Sequence, residues 1–281
     1  MSDFAVLYTF HKITSPVLRR LEQLKILNKN VFISPIFGIQ QQFYFPTLIN
    51  PPRKRLQTLN IIPLKLKTIY KVSEFFNHKV ESFRRKVEIK SLREILEKIN
   101  LDLYCDYTPM GWYNQDLAIL NWFSLYGRNI DFKYLIFIEY DMFLTKSICD
   151  IYSKYVNYDA GFVGYGRASP MWNWYYYPPK AVEFLKKRLK KQGLKTTLYK
   201  CFFPGNMVSR EVLEELERVE YPHYGYCELR WPTVITALGF KCANLNFPMI
   251  RYRPYYKEVD ILANKELGIF HPVIDDISIN I

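Results

Sequence analysis

Hydrophobic and polar positions follow two rhythms along this chain. The runs FAVLYTF (4–10), VFISPIFG (31–38) and YLIFI (134–138) show no polar alternation, as expected of strands covered on both faces in a parallel sheet. Between the first two, Ser15 and Pro16 supply an N-cap and a first-turn proline, and Val17, Leu21 and Leu24 recur at helical spacing. Strand, helix and strand in this order form a βαβ unit. That unit predicts a parallel sheet whose ligands gather at the carboxyl ends of its strands, here near Thr9, Phe10, His11 and Lys12.

Downstream, Asn114 and Asp116 suit the positive start of a helix, and QDLAILNWFSLY is apolar nearly all round until Gly127 ends it. AVEFLKKRLKKQGLK (181–195) predicts a basic amphipathic helix, and REVLEELERV (210–219) a surface helix. PTVITALGF (232–240) predicts a helix with proline in its first turn and glycine near its end. Residues 51–100 open on PPRKR, are rich in Lys and Arg, and keep helical spacing only in patches such as SLREILEKI, so a basic, partly helical insertion is expected there. The expected fold is α/β: a mostly parallel, twisted central sheet flanked by helices, as one domain over residues 1–281.

Composition narrows the class. The 281 residues are 49% hydrophobic and 17% aromatic, a core-forming rather than disordered composition. No apolar run reaches the ~20 residues needed to cross a bilayer. The start, MSDFAVLYTFHK, lacks the basic n-region and long h-region of a secretory signal, so the mature chain is expected to begin at residue 1. Five scattered cysteines without a C-x-x-C pair predict reduced thiols in a cytoplasmic compartment. A formal charge of +12 favours an anionic partner: nucleic acid, an acidic membrane surface or a phosphorylated small molecule.

YLIFI runs straight into Glu139 and Asp141, which strand geometry would point to one side. Burying either carboxylate unpaired costs several kcal/mol, so a cation is expected between them. A hard divalent ion, Mg²⁺ or Mn²⁺, would serve and leave positions open for substrate phosphates. A nearby Lys or Arg would meet the same electrostatic need.

A hydrophobic strand ending in acid-x-acid, mid-chain in a basic α/β protein that starts with βαβ, resembles the A-type (GT-A) glycosyltransferases, whose fold is Rossmann-like. Four other stretches are similar to that family. WYNQDLAILNWF (112–123) resembles the helix preceding the metal strand, whose start touches the nucleotide. FFPGNMVSREVLEEL (202–216) resembles the segment in which a glycine turn leads into a short strand and helix beside the acceptor. YCELRWPTVITALGF (226–240) is similar to the acidic residue ahead of a helix that acts as base in inverting members, and FHPVIDD (270–276) to the late histidine that completes the metal site. The chain departs from the family's pattern with Glu139 as the first acid and Ile274 where a phosphate-binding Lys would be welcome.

The resemblance implies a metal-dependent glycosyltransferase that uses a nucleoside diphosphate sugar, with residues 1–145 mainly for the donor and 146–281 mainly for the acceptor. Asp141, Glu139 and His271 would bind Mn²⁺ or Mg²⁺, the imidazole suiting Mn²⁺ somewhat better. Thr9, His11, Lys12, Asp116, Glu139 and Tyr140 would meet the donor. Glu228 would be the catalytic base, held ionised by helical N–H groups and Arg230. Trp172, Trp174, Gly205, Asn206 and Trp231 would meet a glycan, lipid-linked or protein acceptor. The lysines of 181–195 and the 51–100 segment offer a peripheral contact with an anionic membrane.

Two other readings share some of these features. A metal-dependent nucleotidyltransferase needs the same metal but releases pyrophosphate. A nucleic-acid-binding protein would use the charge and the interleaved Tyr and Lys, although no RNP, KH or zinc-finger pattern accompanies them.

Overall fold

The computed structural model describes residues 3–11, 13–38, 89–106 and 113–277. Lys12, Trp112 and most of the basic 51–100 segment lie outside them. The apolar runs become neighbouring strands. β1 (Phe4–Phe10) pairs in parallel with β2 (Phe32–Gly38), and α1 (Ser15–Leu27) crosses between them. Thr14 takes the N-cap position of α1 in place of the expected Ser15, with Pro16 in the first turn, where a missing N–H costs nothing. The SLREILEKI patch is helical as α2 (89–98), and buries Leu92 and Leu96 one turn apart.

β3 (Tyr104–Asp106) extends the sheet beyond β2, α3 (Gln115–Leu125) follows, and β4 (Tyr134–Glu139) returns on the far side of β1, with Glu139 opposite Thr9. Then come β5 (Phe143–Leu144), α4 (Ile148–Tyr152), β6 (Ala160–Arg167), α5 (Ala181–Lys191) and β7 (Tyr199–Ser209). The chain continues through α6 (Arg210–Arg218), α7 (Cys227–Ala237), β8 (Cys242–Leu245), α8 (Glu258–Ala263) and β9 (Ile269–Phe270). The main sheet has the order β3-β2-β1-β4-β7-β6-β8. Only β7 runs antiparallel to its neighbours; every other pairing in that sheet is parallel. Strands from both halves of the chain share this sheet, so the α/β unit expected from the sequence is one continuous layer.

The unbroken apolar runs are explained by burial on both faces. Ala5, Leu7, Leu135 and Phe137 point into a core beneath α3 and α7, while Val6, Tyr8, Ile136 and Ile138 point into a second core beneath α1. Two boundaries differ from expectation. α7 begins at Cys227, so Pro232 lies inside the helix and Glu228 sits in its first turn. β7 is one long strand, with Gly205 at φ +80° inside it, where a Cβ would approach Ile250 Cδ1 to 3.0 Å. That backbone conformation and the close approach both favour glycine. Among the described residues no helix is long and apolar enough to cross a membrane, and the five cysteines form no disulfide.

The turn after β4 is fastened from behind. Arg20, buried on α1, donates from Nη1 to the Tyr140 carbonyl at 2.9 Å and from Nη2 to the Asp275 carbonyl at 2.7 Å. The Val273 N–H reaches the Asp141 carbonyl at 2.7 Å. β5 and β9 pair in a small antiparallel sheet beside this turn. The C-terminal segment is thereby held against the end of β4. Arg20→Met would remove two charge-assisted hydrogen bonds, and a lowered urea midpoint with unchanged helical circular dichroism is expected.

Candidate metal centre and active site

The carboxyl ends of β1 and β4 open into a cleft of about 590 Å³, bounded by Thr9, Phe10 and His11 on one strand and Glu139, Tyr140 and Asp141 at the end of the other. Asp141 lies in the turn that follows β4, two residues beyond the strand's last residue. Its carboxylate still converges with that of Glu139. The third member is His271, just after β9, and the potential ligand atoms of Glu139, Asp141 and His271 all lie within 4.8 Å of one another. His271 Nε2 is 3.4 Å from Asp141 Oδ1 and 3.9 Å from Glu139 Oε2.

The surroundings orient each member. His271 Nδ1 lies 2.9 Å from the Arg251 carbonyl, so in the neutral ring Nδ1 carries the hydrogen and donates it, and the Nε2 lone pair faces the carboxylates. Gln115 donates its amide to Glu139 Oε1. Asp141 Oδ1 is buried without a hydrogen bond, because the imidazole at 3.4 Å is within ion-pair range but outside hydrogen-bond geometry. Among the described residues no Lys or Arg lies within ion-pair distance of either carboxylate.

Burial, reinforced by Asp141, pushes the Glu139 carboxyl up to about 7, while His271 and the Gln115 amide oppose the rise. Burial alone would lower His271, but the two carboxylates outweigh it and hold the imidazole above its ordinary value. This is a pocket short of positive charge. Two carboxylate oxygens and one imidazole nitrogen form a donor set that suits Mn²⁺ or Mg²⁺, and the orphaned Asp141 oxygen is the observation that fits an ion best.

Glu228 lines the same cleft from the first turn of α7. Its Oε1 accepts the Phe203 N–H at 3.1 Å and its Oε2 the Tyr252 hydroxyl at 2.7 Å. Burial pushes this carboxyl up to about 8 against the pull of those two hydrogen bonds. The expectation that Arg230 keeps Glu228 ionised is therefore corrected, since Arg230 turns the other way. Its guanidinium is fully buried against Asp116, with Nε 2.6 Å from Oδ2 and Nη1 2.8 Å from the Gly225 carbonyl.

The same pair corrects the donor role expected of Asp116. Its carboxylate has no exposure, accepts the Tyr221 hydroxyl at 2.6 Å, and locks the start of α3 to the start of α7. The neighbouring Gln115 reaches the cleft instead.

Acceptor expectations divide likewise. Trp231 is buried against Phe203 and Tyr221, and Asn206 is buried with its side-chain carbonyl on the Val163 N–H, so both serve the core. Gly205 faces Ile250, Met142 and Tyr152, away from the cleft lining. Trp174 packs on Tyr226, a cleft residue, with ring centroids 5.2 Å apart, and so stands one ring behind the wall. Trp172 lies beside Lys200, also outside the lining. The sequence reading missed Gln115, Tyr226, Tyr252, Arg253 and Tyr255, all of which line the cleft. The aromatic density of YRPYY was the available signal for the last three.

No family model matches the chain, and no curated protein matches it in sequence. Solved structures that it resembles include residues 1–349 of S. aureus TarS, at 12% identity and a TM-score of 0.39, covering 87% of this chain and 58% of that one. Another is the apo bifunctional glycosyltransferase WbbM, at 11% identity and a TM-score of 0.40, covering 98% of this chain and 46% of that one. The chain thus spans about half the length of these structures.

Two outcomes are expected. Titration calorimetry should detect Mn²⁺ binding that weakens at least ~10-fold in Asp141→Asn and in His271→Ala. The second concerns stability in metal-free protein. Glu228 has an ordinary value of 4.5 when unfolded and about 8 when folded, so between these values the native state holds a proton the unfolded chain has released. Its contribution to stability is lost as pH rises through that window. Glu228→Gln should therefore gain in melting temperature over the unmutated protein as pH goes from 5 to 8.

Proposed function

We propose that the protein is a metal-dependent glycosyltransferase that moves a sugar from a nucleoside diphosphate donor to an acceptor hydroxyl, with inversion at the anomeric carbon. The observation that carries this reading is the convergence of Glu139, Asp141 and His271 with the raised carboxyl of Glu228 in one cleft. The order of the motifs along the chain, similar to that of GT-A enzymes, supports it.

Glu139, Asp141 and His271 would hold the ion through two oxygens and Nε2. When bound, a divalent cation supplies a Lewis acid for the departing diphosphate. Arg253 also lines the cleft, with its guanidinium 5.5 Å from the Tyr255 ring, and among the described residues it forms no ion pair with the three carboxylates there. It is our choice for the second cation against the diphosphate, in place of the lysine that Ile274 does not provide. Thr9 and His11 at the end of β1, with Tyr140, would meet the nucleoside, which assigns the donor mainly to residues 1–145. Tyr226, backed by Trp174, offers an aromatic wall for the acceptor sugar, in the 146–281 part.

Glu228 would take the proton of the acceptor hydroxyl. A base works best with a pKa near the working pH, and about 8 meets that condition. Lys186, Lys187 and Lys190 are exposed on α5 and would suit a phosphorylated, lipid-linked acceptor at an acidic membrane surface. The free thiols favour a cytoplasmic setting.

A thermal-shift panel of UDP, GDP, CDP and dTDP, each with and without Mn²⁺, tests the reading. One diphosphate should raise the melting temperature only with Mn²⁺, Asp141→Ala should abolish the effect, and Arg253→Ala should weaken binding ~10-fold or more, as expected for loss of a charge-assisted contact. No metal-dependent shift with any of them would contradict it, and release of pyrophosphate rather than a nucleoside diphosphate would point to nucleotidyl transfer.

A further inference from the structure

Glu228 is only 2% exposed, and both of its oxygens are already engaged. Beside it on the cleft lining stands Tyr252, whose hydroxyl donates to Glu228 Oε2 at 2.7 Å. That residue is 51% exposed, lines the cleft, and packs its ring edge-on against Phe202 at 4.2 Å. Its position is tied to the candidate metal centre through the preceding residue, because Arg251 donates its N–H to the His271 carbonyl at 3.0 Å and its own carbonyl lies 2.9 Å from His271 Nδ1.

We propose that Tyr252 is a catalytic residue that relays the proton of the attacking hydroxyl to Glu228. This rests on the glycosyl-transfer reading above. The acceptor oxygen bonds to the anomeric carbon as the bond from that carbon to the diphosphate oxygen breaks, and its electron pair leaves with the diphosphate. The acceptor's proton passes to Tyr252 Oη, while the Tyr252 proton passes to Glu228 Oε2. Tyr252 ends unchanged, Glu228 ends neutral, and no charge is left on the phenol, whose own proton is hard to lose because its hydroxyl end is tucked out of solvent and faces the Glu228 carboxylate.

The relay accounts for two features that a direct base leaves unexplained: the near-complete burial of Glu228, and the half-exposed tyrosine whose hydroxyl already donates to it. The groups that face Glu228 are Tyr252 from the segment after β8, Glu139 from β4, His271 after β9, Tyr226 and Cys227 at the start of α7, and Cys201 of β7. Of these, the Tyr252 hydroxyl is the one bonded to the oxygen that would receive the proton.

Donor hydrolysis, with water in the acceptor's place, provides the assay. Mn²⁺-loaded protein is given sugars linked to UDP, GDP, CDP and dTDP, and the released diphosphate is measured. Tyr252→Phe keeps the ring on Phe202 and removes only the hydroxyl. It should lower kcat ~100-fold or more, the usual worth of general acid–base catalysis, while the Mn²⁺-dependent thermal shift with the matching diphosphate stays intact. The acid limb of the pH profile should move upward, because a hydrogen bond that helps hold Glu228 ionised is gone. A merely structural hydroxyl would move the same limb through the same lost hydrogen bond, but would leave kcat on the plateau above it close to that of the unmutated protein.

Turnover within twofold of the unmutated protein, with Glu228→Gln inactive, would overturn the relay and leave Glu228 as a direct base. Loss of the diphosphate thermal shift in Tyr252→Phe would also overturn it, by assigning Tyr252 to binding. A fully active Glu228→Gln, or no hydrolysis of any donor by the unmutated protein, would remove the base and the relay together.

Discussion

Glu139 and Asp141 follow the buried run of β4, a central strand of the sheet, and bring two carboxylates to within a few ångströms of each other and of one imidazole. Burial first, and the neighbouring Asp141 second, disfavour the ionised form of Glu139 and raise its carboxyl above the ordinary range. The chain nevertheless holds the arrangement firmly. Arg20 grips the turn from α1, Val273 grips it from the C-terminal segment, and the Arg251 carbonyl fixes the histidine tautomer. So much backbone fastening around a repulsive cluster makes sense if a cation belongs at its centre, and the proposed function follows from that electrostatic deficit.

A second buried charge pair governs the rest of the cleft. Asp116 and Arg230 have no exposure, and each also takes a further hydrogen bond, from Tyr221 to the carboxylate and from Arg230 to the Gly225 carbonyl. A buried pair of this kind adds little stability by itself, but removing one partner is costly, so it fixes geometry. Here it joins the starts of α3 and α7. Gln115 and Glu228 lie one and two residues from its members and face the cleft, so the pair sets how the Glu139 side and the Glu228 side of the site stand relative to one another.

The sequence revealed the frame of this site more readily than its walls. The three apolar runs were legible as central strands because burial on both faces leaves no polar alternation, and the acid-x-acid ending was legible because two neighbouring carboxylates at the end of a buried strand call for a cation. His271 was named through the resemblance of FHPVIDD to the late histidine of GT-A enzymes, and it lies beside Glu139 and Asp141. Asp116 was misassigned because a carboxylate at a helix start looks the same whether it faces solvent or a buried arginine; only the fold places Arg230 opposite it. α7 was begun late because Pro232 resembles a first-turn proline, and Trp231 was placed in the acceptor site although the core needs its bulk. Arg20 carries no local signal that separates it from a surface charge of an amphipathic helix; only the fold brings the Tyr140 and Asp275 carbonyls to it. Tyr252 and Arg253 sit in a segment with no period of its own, held in place by hydrogen bonds to His271 that no local pattern announces.

The central claim is that this cluster is a cation site, and the most direct test is an anomalous difference map from crystals soaked in Mn²⁺. The account expects one strong peak, ~2.0–2.3 Å from an Asp141 carboxylate oxygen and from His271 Nε2, with Glu139 bound directly or through water. A map without that peak, in which Asp141 closes onto a protonated His271 or onto a lysine or arginine, would contradict it.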